Sequence, residues 1–340
     1  MNNDNIPLIS IILPTYNVAS FLLQCLESIN AQTYPNYEVI IIIDGATDGS
    51  FEIAKEYCER HEKFNVYWQE NAGSGPARNA GLSKSSGEFV MFVDPDDWIE
   101  KDLLINLVNG QRDGNYDLVA TRRISVLCDN KGNVLKKNAL FYKDFSLDNQ
   151  DDVRKSFFDM LKNGVVGSPT QKLYRMSIIR NFKIEFPDLR RSQDVIFNNR
   201  YYSCIRNLRL LSYSGYNYRI LLENSSGRSA ADYYKVIELQ YNDYKELYKS
   251  WSMCFPDTDF CTFLYEIRIF ANLQRCALMG WDIRPIFKNT VINHIVKNAS
   301  PNSTVKKLVC FLLVKKRFLI VKFLMKKIAL FKQLGLKRSK

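Results

Sequence analysis

"EFVMFVDPDDWIE", Glu88 to Glu100, runs large apolar residues, Phe89 to Val93, into the carboxylates of Asp94, Asp96 and Asp97. The apolar run reads as a buried strand, and the acids mark the place where it surfaces. Ionised carboxylates crowded against a low-dielectric core are costly unless positive charge meets them. A polar turn capping the next helix accounts for the cluster, since Asp favours such positions. A divalent cation accounts for it as well, because hard cations prefer oxygen ligands. The rest of the chain decides between them.

Upstream, "LISIILP" (Leu8 to Pro14) is a short buried strand that Pro14 closes, and Ser20 is the expected cap of the helix "FLLQCLESINAQ". "YEVIIII" (Tyr37 to Ile43) is apolar without alternation, the mark of a parallel strand covered on both faces. A helix from about Ser50 to Glu62, the strand "NVYWQ" and a helix opening near Gly75 follow. This alternation predicts the α/β class, with a doubly wound mixed sheet. Such sheets bind ligands beyond the carboxyl ends of their strands. Tyr16, Asp44 and Asp94–Asp97 then share one rim. Beyond Trp98, "YDLVATRRISVL" and "LRLLSYSGYNYRI" read as strands, while "DDVRKSFFDMLKNG" and "RSQDVIFNNRYYS" read as helices. "GSPTQKLYRMSIIRN" reads as a loop entering a helix, and residues 232–294 as further helices.

The 340 residues, 46% hydrophobic and 13% aromatic, suit one large domain or two smaller ones and exclude disorder. The opening "MNNDNIPLIS" lacks a signal-peptide pattern, and the eight cysteines form no C-x-x-C pair. Both point to reduced thiols in a cytoplasmic protein. Neither His61 nor His294 accompanies a cysteine pair, which argues against zinc. No apolar run approaches the ~18–20 residues of a membrane span. The net charge is +11, but residues 305–340 hold 12 Lys and Arg and no acid, so residues 1–304 carry 11 − 12, or −1. Basicity confined to a tail excludes the spread basic face of a nucleic-acid binder.

Three ordered pieces resemble the family 2 glycosyltransferases: residues 9–50, then "NAGSGPARNAGLSKSSGEFVMFVDPDD", then "KLYR" with "SQDVIF". The resemblance implies an A-type glycosyltransferase fold over roughly residues 7–230. By the same match, Pro14, Thr15 and Tyr16 receive the base of a UDP-sugar, Asp44 accepts from uracil, and Arg78 meets the diphosphate. Asp94 contacts the ribose or the waters of a Mn²⁺ or Mg²⁺ ion, Asp96 ligates that ion, and Asp97 holds the loop. Asp194 is the matching catalytic base for inverting transfer. The chain departs from the pattern at Ile43, Ala46 and Gln193, where the family carries Asp, Ser and Glu. Lys172, Arg219 and Arg228 read as surface charges, with a place beside the acceptor or diphosphate as the alternative.

The expected division is a catalytic domain at 1–230, a helical region at 231–304 and a basic amphipathic tail at 305–340. On a helical wheel the tail sets Lys315, Lys322 and Lys326 against Ile320, Val321, Leu324 and Met325, with Leu319, Phe323 and Leu330 intruding. A surface-lying helix on an anionic membrane and a helix packed on its own domain both fit that pattern. The implied reaction moves a hexose (Glc, Gal or N-acetylhexosamine) to a saccharide acceptor on a lipid diphosphate, for capsule or O-antigen, at the inner face of the cell membrane. A catalytically impaired membrane-surface module that binds nucleotide sugars is the alternative. A processive synthase is disfavoured, because no Gln-x-x-Arg-Trp element is present.

Overall fold

Apolar runs without alternation need cover on both faces of a sheet, and the runs of the first hundred residues find it. The strands β1 (Ile9–Thr15), β2 (Tyr37–Asp44), β3 (Phe64–Gln69) and β4 (Phe89–Phe92) pair in parallel, in the order β3-β2-β1-β4. The helices α1 (Ala19–Asn30), α2 (Ser50–Arg60) and α3 (Ser74–Lys84) connect them. On one face Leu22, Cys25, Leu26 and Ile29 of α1 join Ile9, Ile11, Leu13, Val39, Ile41 and Ile43 in a single core. On the other, Ile40 and Ile42 meet Ala77 of α3. Every residue of β1 is buried, and burial at roughly 25 cal/mol per Å² of apolar surface is what holds this layer together.

This computed structural model describes residues 6–139, 143–221 and 230–338. The chain divides into two units, Met1–Ser225 and Ser226–Lys340. In the first, the sheet continues through β5 (Trp98–Ile99), β6 (Leu118–Cys128), β7 (Val134–Ala139), β8 (Phe145–Leu147), β9 (Lys172–Arg175) and β10 (Leu208–Leu221). The ten strands form one mixed sheet, ordered β3-β2-β1-β4-β9-β6-β10-β5, with β7 on β6 and β8 on β10. The helices α4 (Leu103–Arg112), α5 (Gln150–Lys162), α6 (Met176–Asn181) and α7 (Gln193–Cys204) complete this unit.

Three local expectations need correction. β1 does not stop at Pro14 but runs through Thr15. Its ladder to β4 ends at Ile12, so the N–H that proline lacks is not missed on that side. Ser20 does not cap α1, which begins at Ala19 with Val18 at the cap position. The segment expected to be a loop before a helix contains β9, which pairs antiparallel with both β4 and β6 at the centre of the sheet.

The second unit is helical: α8 (Ala230–Ser250), α9 (Asp257–Leu264), a π-turn at 265–269, α10 (Phe270–Leu278), α11 (Thr290–Asn298), α12 (Thr304–Val314) and α13 (Phe318–Arg338). The basic tail is two helices, broken where Lys316 takes φ 53°. α13 buries Val321, Met325 and Ala329 at four-residue spacing and packs on α10. Ile320, expected on the apolar side, is exposed together with Leu319 (84%) and Phe323 (59%). Lys306 pairs with Glu266 at 3.0 Å, and Lys322 donates to the Gly280 carbonyl at 2.8 Å. Among the described residues no helix is long and apolar enough to cross a membrane.

Candidate active site

Because β1, β2 and β4 are parallel, their carboxyl ends and the loops that follow line one rim. At the end of β1, Pro14 and Thr15 are buried and Tyr16 is 52% exposed. Tyr16 is therefore the ring of that trio open to a ligand, while Pro14 and Thr15 contribute shape. The next turn is stitched to the loop after β2: Asp48 accepts from the Ala19 N–H (2.8 Å) and the Ser50 hydroxyl (2.6 Å), and Ser50 Oγ accepts from the Val18 N–H (3.0 Å). These contacts tie the two loops together, and the sequence reading missed the part of Asp48 and Ser50 in this.

Asp44 ends β2 almost fully buried. Its Oδ1 accepts from Gln69 Nε2 and the Ala72 N–H, and its Oδ2 from the Gly73 N–H, each at 2.8 Å. A carboxylate offers about four lone-pair positions, so one on Oδ2 remains for an outside donor. Asp44 thus also ties down the loop that opens α3. Ile43, where the family carries an acid, lies wholly in the core and has no access to the rim. Gly73 takes φ 99° at the start of α3, a conformation that favours glycine. The need at Gly75 is different. A Cβ there would meet the Pro187 carbonyl oxygen at 3.1 Å and Gln193 Cγ at 3.3 Å, so its close approach is to α7.

Arg78 is a buried cation, not an exposed helix-start residue. One guanidinium nitrogen bonds Asp94 Oδ1 at 2.8 Å, the group lies over the Phe186 ring at 5.4 Å, and Nε is buried with no hydrogen-bond partner among the described residues. Unused buried donors are rare in folded proteins. The acidic loop is held from below by β10. Tyr216 Oη donates to Asp97 Oδ2 (2.8 Å) and accepts from the Asp94 N–H (3.1 Å), and the Arg219 N–H donates to Asp97 Oδ1 (2.7 Å). Arg219 is buried too, contrary to its reading as a surface charge. Its Nε donates to the Asp96 carbonyl (2.6 Å), a terminal nitrogen donates to Gln24 Oε1 (2.5 Å), and Phe21 and Trp98 stack on it at 4.4 and 4.6 Å. Arg228 lies outside the described residues. Nothing local in the sequence pointed to Tyr216, Gln24 or Phe21, which reach the loop from distant elements, whereas Trp98 directly follows it.

The loop remains short of positive charge. Burial, then the Asp94 carboxylate, pushes the Asp96 pKa up to about 6. Burial, then Asp94 and Asp96, holds Asp97 well above the usual carboxylate range. Among the described residues no cation lies within ion-pair distance of Asp96. A cluster of hard-oxygen donors short of positive charge is of the kind that fits Mn²⁺ or Mg²⁺.

Asp194 is the second residue of α7 and is half-buried, its Oδ1 accepting the Val195 N–H at 2.9 Å. The helix is fixed to the sheet by rings. Phe92 meets Tyr174, Phe186 and Phe197 edge-on, and Phe186 stacks on Phe197 at 3.9 Å. Gln193 Nε2 donates to Ser74 Oγ (2.7 Å), which ties α7 to the start of α3. Buried Tyr174 packs on the same helix, its ring 5.7 Å from that of Phe197 and its hydroxyl donating to Asn198 Oδ1 one turn beyond Asp194.

In the second unit Asp257, Cys261 and His294 lie within 4.8 Å of one another. Asp257 already accepts from Tyr241 Oη (2.5 Å), His294 Nε2 (2.8 Å) and Cys261 Sγ (3.6 Å). These bonds clip α8, α9 and α11 together. The histidine meets one cysteine, and the trio reads as a structural joint.

A parallel half-sheet ordered 3-2-1-4, ending in an acid loop faced by a buried arginine, defines the A-type glycosyltransferase fold. The family model "Glycosyl transferase family 2" matches residues 10–182, and the chain belongs to that family. It is 33% identical over 222 residues to EpsH of Bacillus subtilis (strain 168), provisionally named a glycosyltransferase, covering 64% of this chain and 62% of EpsH. It is also 33% identical over 223 residues to glycosyltransferase GlyA of Streptococcus pneumoniae serotype 4, covering 62% of this chain and 30% of GlyA. The fold matches S. aureus TarS 1-349 in complex with UDP-GlcNAc at a TM-score of 0.69 and 22% identity, over 94% of this chain and 91% of that one.

Proposed function

We propose that this protein is an inverting glycosyltransferase that moves a hexose from a UDP-sugar to a saccharide acceptor carried on a lipid diphosphate. The carrying observation is the Arg78–Asp94 pair beside the desolvated Asp96, with Gln193, the neighbour of Asp194, bonded to Ser74 at the start of the helix that carries Arg78. Family membership supports the reaction class, and the UDP-GlcNAc complex of the TarS neighbour supports a UDP-sugar donor. Tyr16 and Asp44 receive the base, and Arg78, with its spare Nε–H, meets the diphosphate. The acceptor hydroxyl attacks the anomeric carbon as the bond from that carbon to the UDP oxygen breaks. Asp194 takes the hydroxyl proton as oxocarbenium character develops. A divalent ion held by Asp96, when bound, supplies positive charge against the leaving diphosphate. Residues 1–230 form the catalytic part, 231–304 a helical region, and 305–340 the segment facing an anionic membrane on its cytoplasmic side.

Asp194→Asn keeps the side-chain shape and removes the proton acceptor. Transfer falls ~10²–10⁴-fold while UDP affinity is retained. A purified variant that transfers sugar at the wild-type rate removes Asp194 as base.

A further inference from the structure

Lys172 opens β9 and is fully buried. Its strand partner is Ala120 of β6, and Thr170, two residues before it, bridges Phe92 of β4, which is two positions short of Asp94, so Lys172 lies close to the rim. Side chains two apart on a strand share a face, which puts Lys172 on the side of Tyr174. α7 covers that side, since Tyr174 Oη donates to Asn198 Oδ1 at 2.7 Å. The ammonium donates to the Ser168 carbonyl. A carbonyl satisfies one donor and no charge, and a buried charge without a counter-charge is among the costliest things a core can hold.

Two charged groups act on the ammonium: Arg123 of β6, which opposes its charge, and Asp194 of α7, which favours it. β4 contributes only the uncharged Phe92, and Arg78 of α3 shares Tyr174 with Asp194. Burial first, then Arg123, brings the lysine pKa down to about 7, against the pull of Asp194. An ordinary surface lysine would leave Asp194 indifferent to it. Asp194 stands one helical turn before Asn198, which Tyr174 bonds, so a lysine buried two residues before Tyr174 lies under the same part of α7.

We propose that Lys172 is the positioning residue of Asp194: its buried ammonium, on the side of the sheet that α7 covers, favours the charged form of that carboxylate between turnovers. The proposal rests on Asp194 being the base. When Asp194 has taken the acceptor proton, the ammonium is left without its counter-charge, which favours release of that proton to water and restores the carboxylate. Removing the ammonium therefore makes the base harder to reset and shifts its ionisation upward.

The test compares wild type, Lys172→Met, Asp194→Asn and the double variant in UDP-sugar transfer from about pH 5 to about pH 9. Lys172→Met lowers kcat about 10- to 100-fold with KM for the UDP-sugar within about twofold. It also moves the acid limb of kcat/KM up by about one pH unit, the direction expected when an opposite charge leaves a carboxylate. In the Asp194→Asn background it changes nothing further. A structural residue would lower both backgrounds and leave the limb in place. An unshifted limb, or an added loss in the double variant, overturns the proposal. Wild-type transfer by Asp194→Asn instead removes the base assignment, a different failure. Should Lys172→Met not fold, thermal unfolding of Asp194→Asn gives an activity-free reading. With its counter-charge gone, the charged lysine destabilises the fold most below about pH 7 and progressively less above it, and a pH-independent penalty refutes the coupling.

Discussion

Arg219→Lys preserves the positive charge under the acidic loop and removes only its shape. The planar fork lets Arg219 bond the Asp96 carbonyl and Gln24 at once while lying between Phe21 and Trp98. Lysine can keep one of those bonds, and its compact ammonium stacks poorly. A lost hydrogen bond from a charged donor is worth about 1.5–3 kcal/mol, and weakened contacts with two rings add roughly 1 kcal/mol. Arg219 is 5% exposed, so solvent screens little of this. The expected loss is about 3 kcal/mol. For a unit of this size each kcal/mol moves Tm by about 2–4 °C, so thermal unfolding should show a drop of about 6–12 °C. UDP affinity in the presence of Mn²⁺ should fall as well, because the loop carrying Asp96 relaxes. A Tm within about 2 °C of wild type would mean that charge alone matters at this position and that the clamp geometry is idle.

Asp96→Ala should abolish the Mn²⁺ dependence of UDP binding in calorimetry, and unchanged affinity with and without Mn²⁺ would take Asp96 out of the metal site. Buried Asp117 accepts from Arg206 and Arg175; burial pushes its pKa up, but the Arg206 hydrogen bonds and both guanidinium charges outweigh that and leave it below the usual range. Its stabilisation is present above the unfolded value of about 3.9 and is lost as pH falls through the lower folded value. Acid unfolding should therefore show Asp117→Asn less stable than wild type at neutral pH, with the gap closing only below about pH 4; a constant gap would contradict the linkage. Full-length protein should sediment with anionic vesicles at low salt and release at high salt. Since α13 also packs on α10, the combined L319S, F323S, K326E and K327E variant, which spares the buried stripe, is a cleaner disruption than deleting 305–340. Equal sedimentation of variant and wild type would favour a purely packed helix.

The parallel half of the sheet was legible because β1, β2 and β4 are buried on both faces, so their apolar runs are unbroken. β9 was not, because a four-residue strand with Lys172 and Arg175 at its ends carries no period at all. The same residue explains both the missed strand and its misreading as a surface charge: nothing local tells a lysine buried at the centre of a sheet from an exposed one. Asp94, Asp96, Arg78 and Asp194 were recognisable as parts of ordered motifs. Tyr216 and Arg219 were not, since their work depends on β10 passing beneath a loop that lies more than a hundred residues earlier.

The insertion of β9 between β4 and β6 has a consequence for the nascent chain. Residues 9–92 can assemble into the four parallel strands as they leave the ribosome, but the outer edge of β4 has no partner until Arg175 has been made. At about 5–20 residues per second that interval lasts roughly 4–17 s, during which the edge Phe89 to Phe92 lacks its β9 partner. Synthesis of this protein therefore passes through a half-sheet with one open edge.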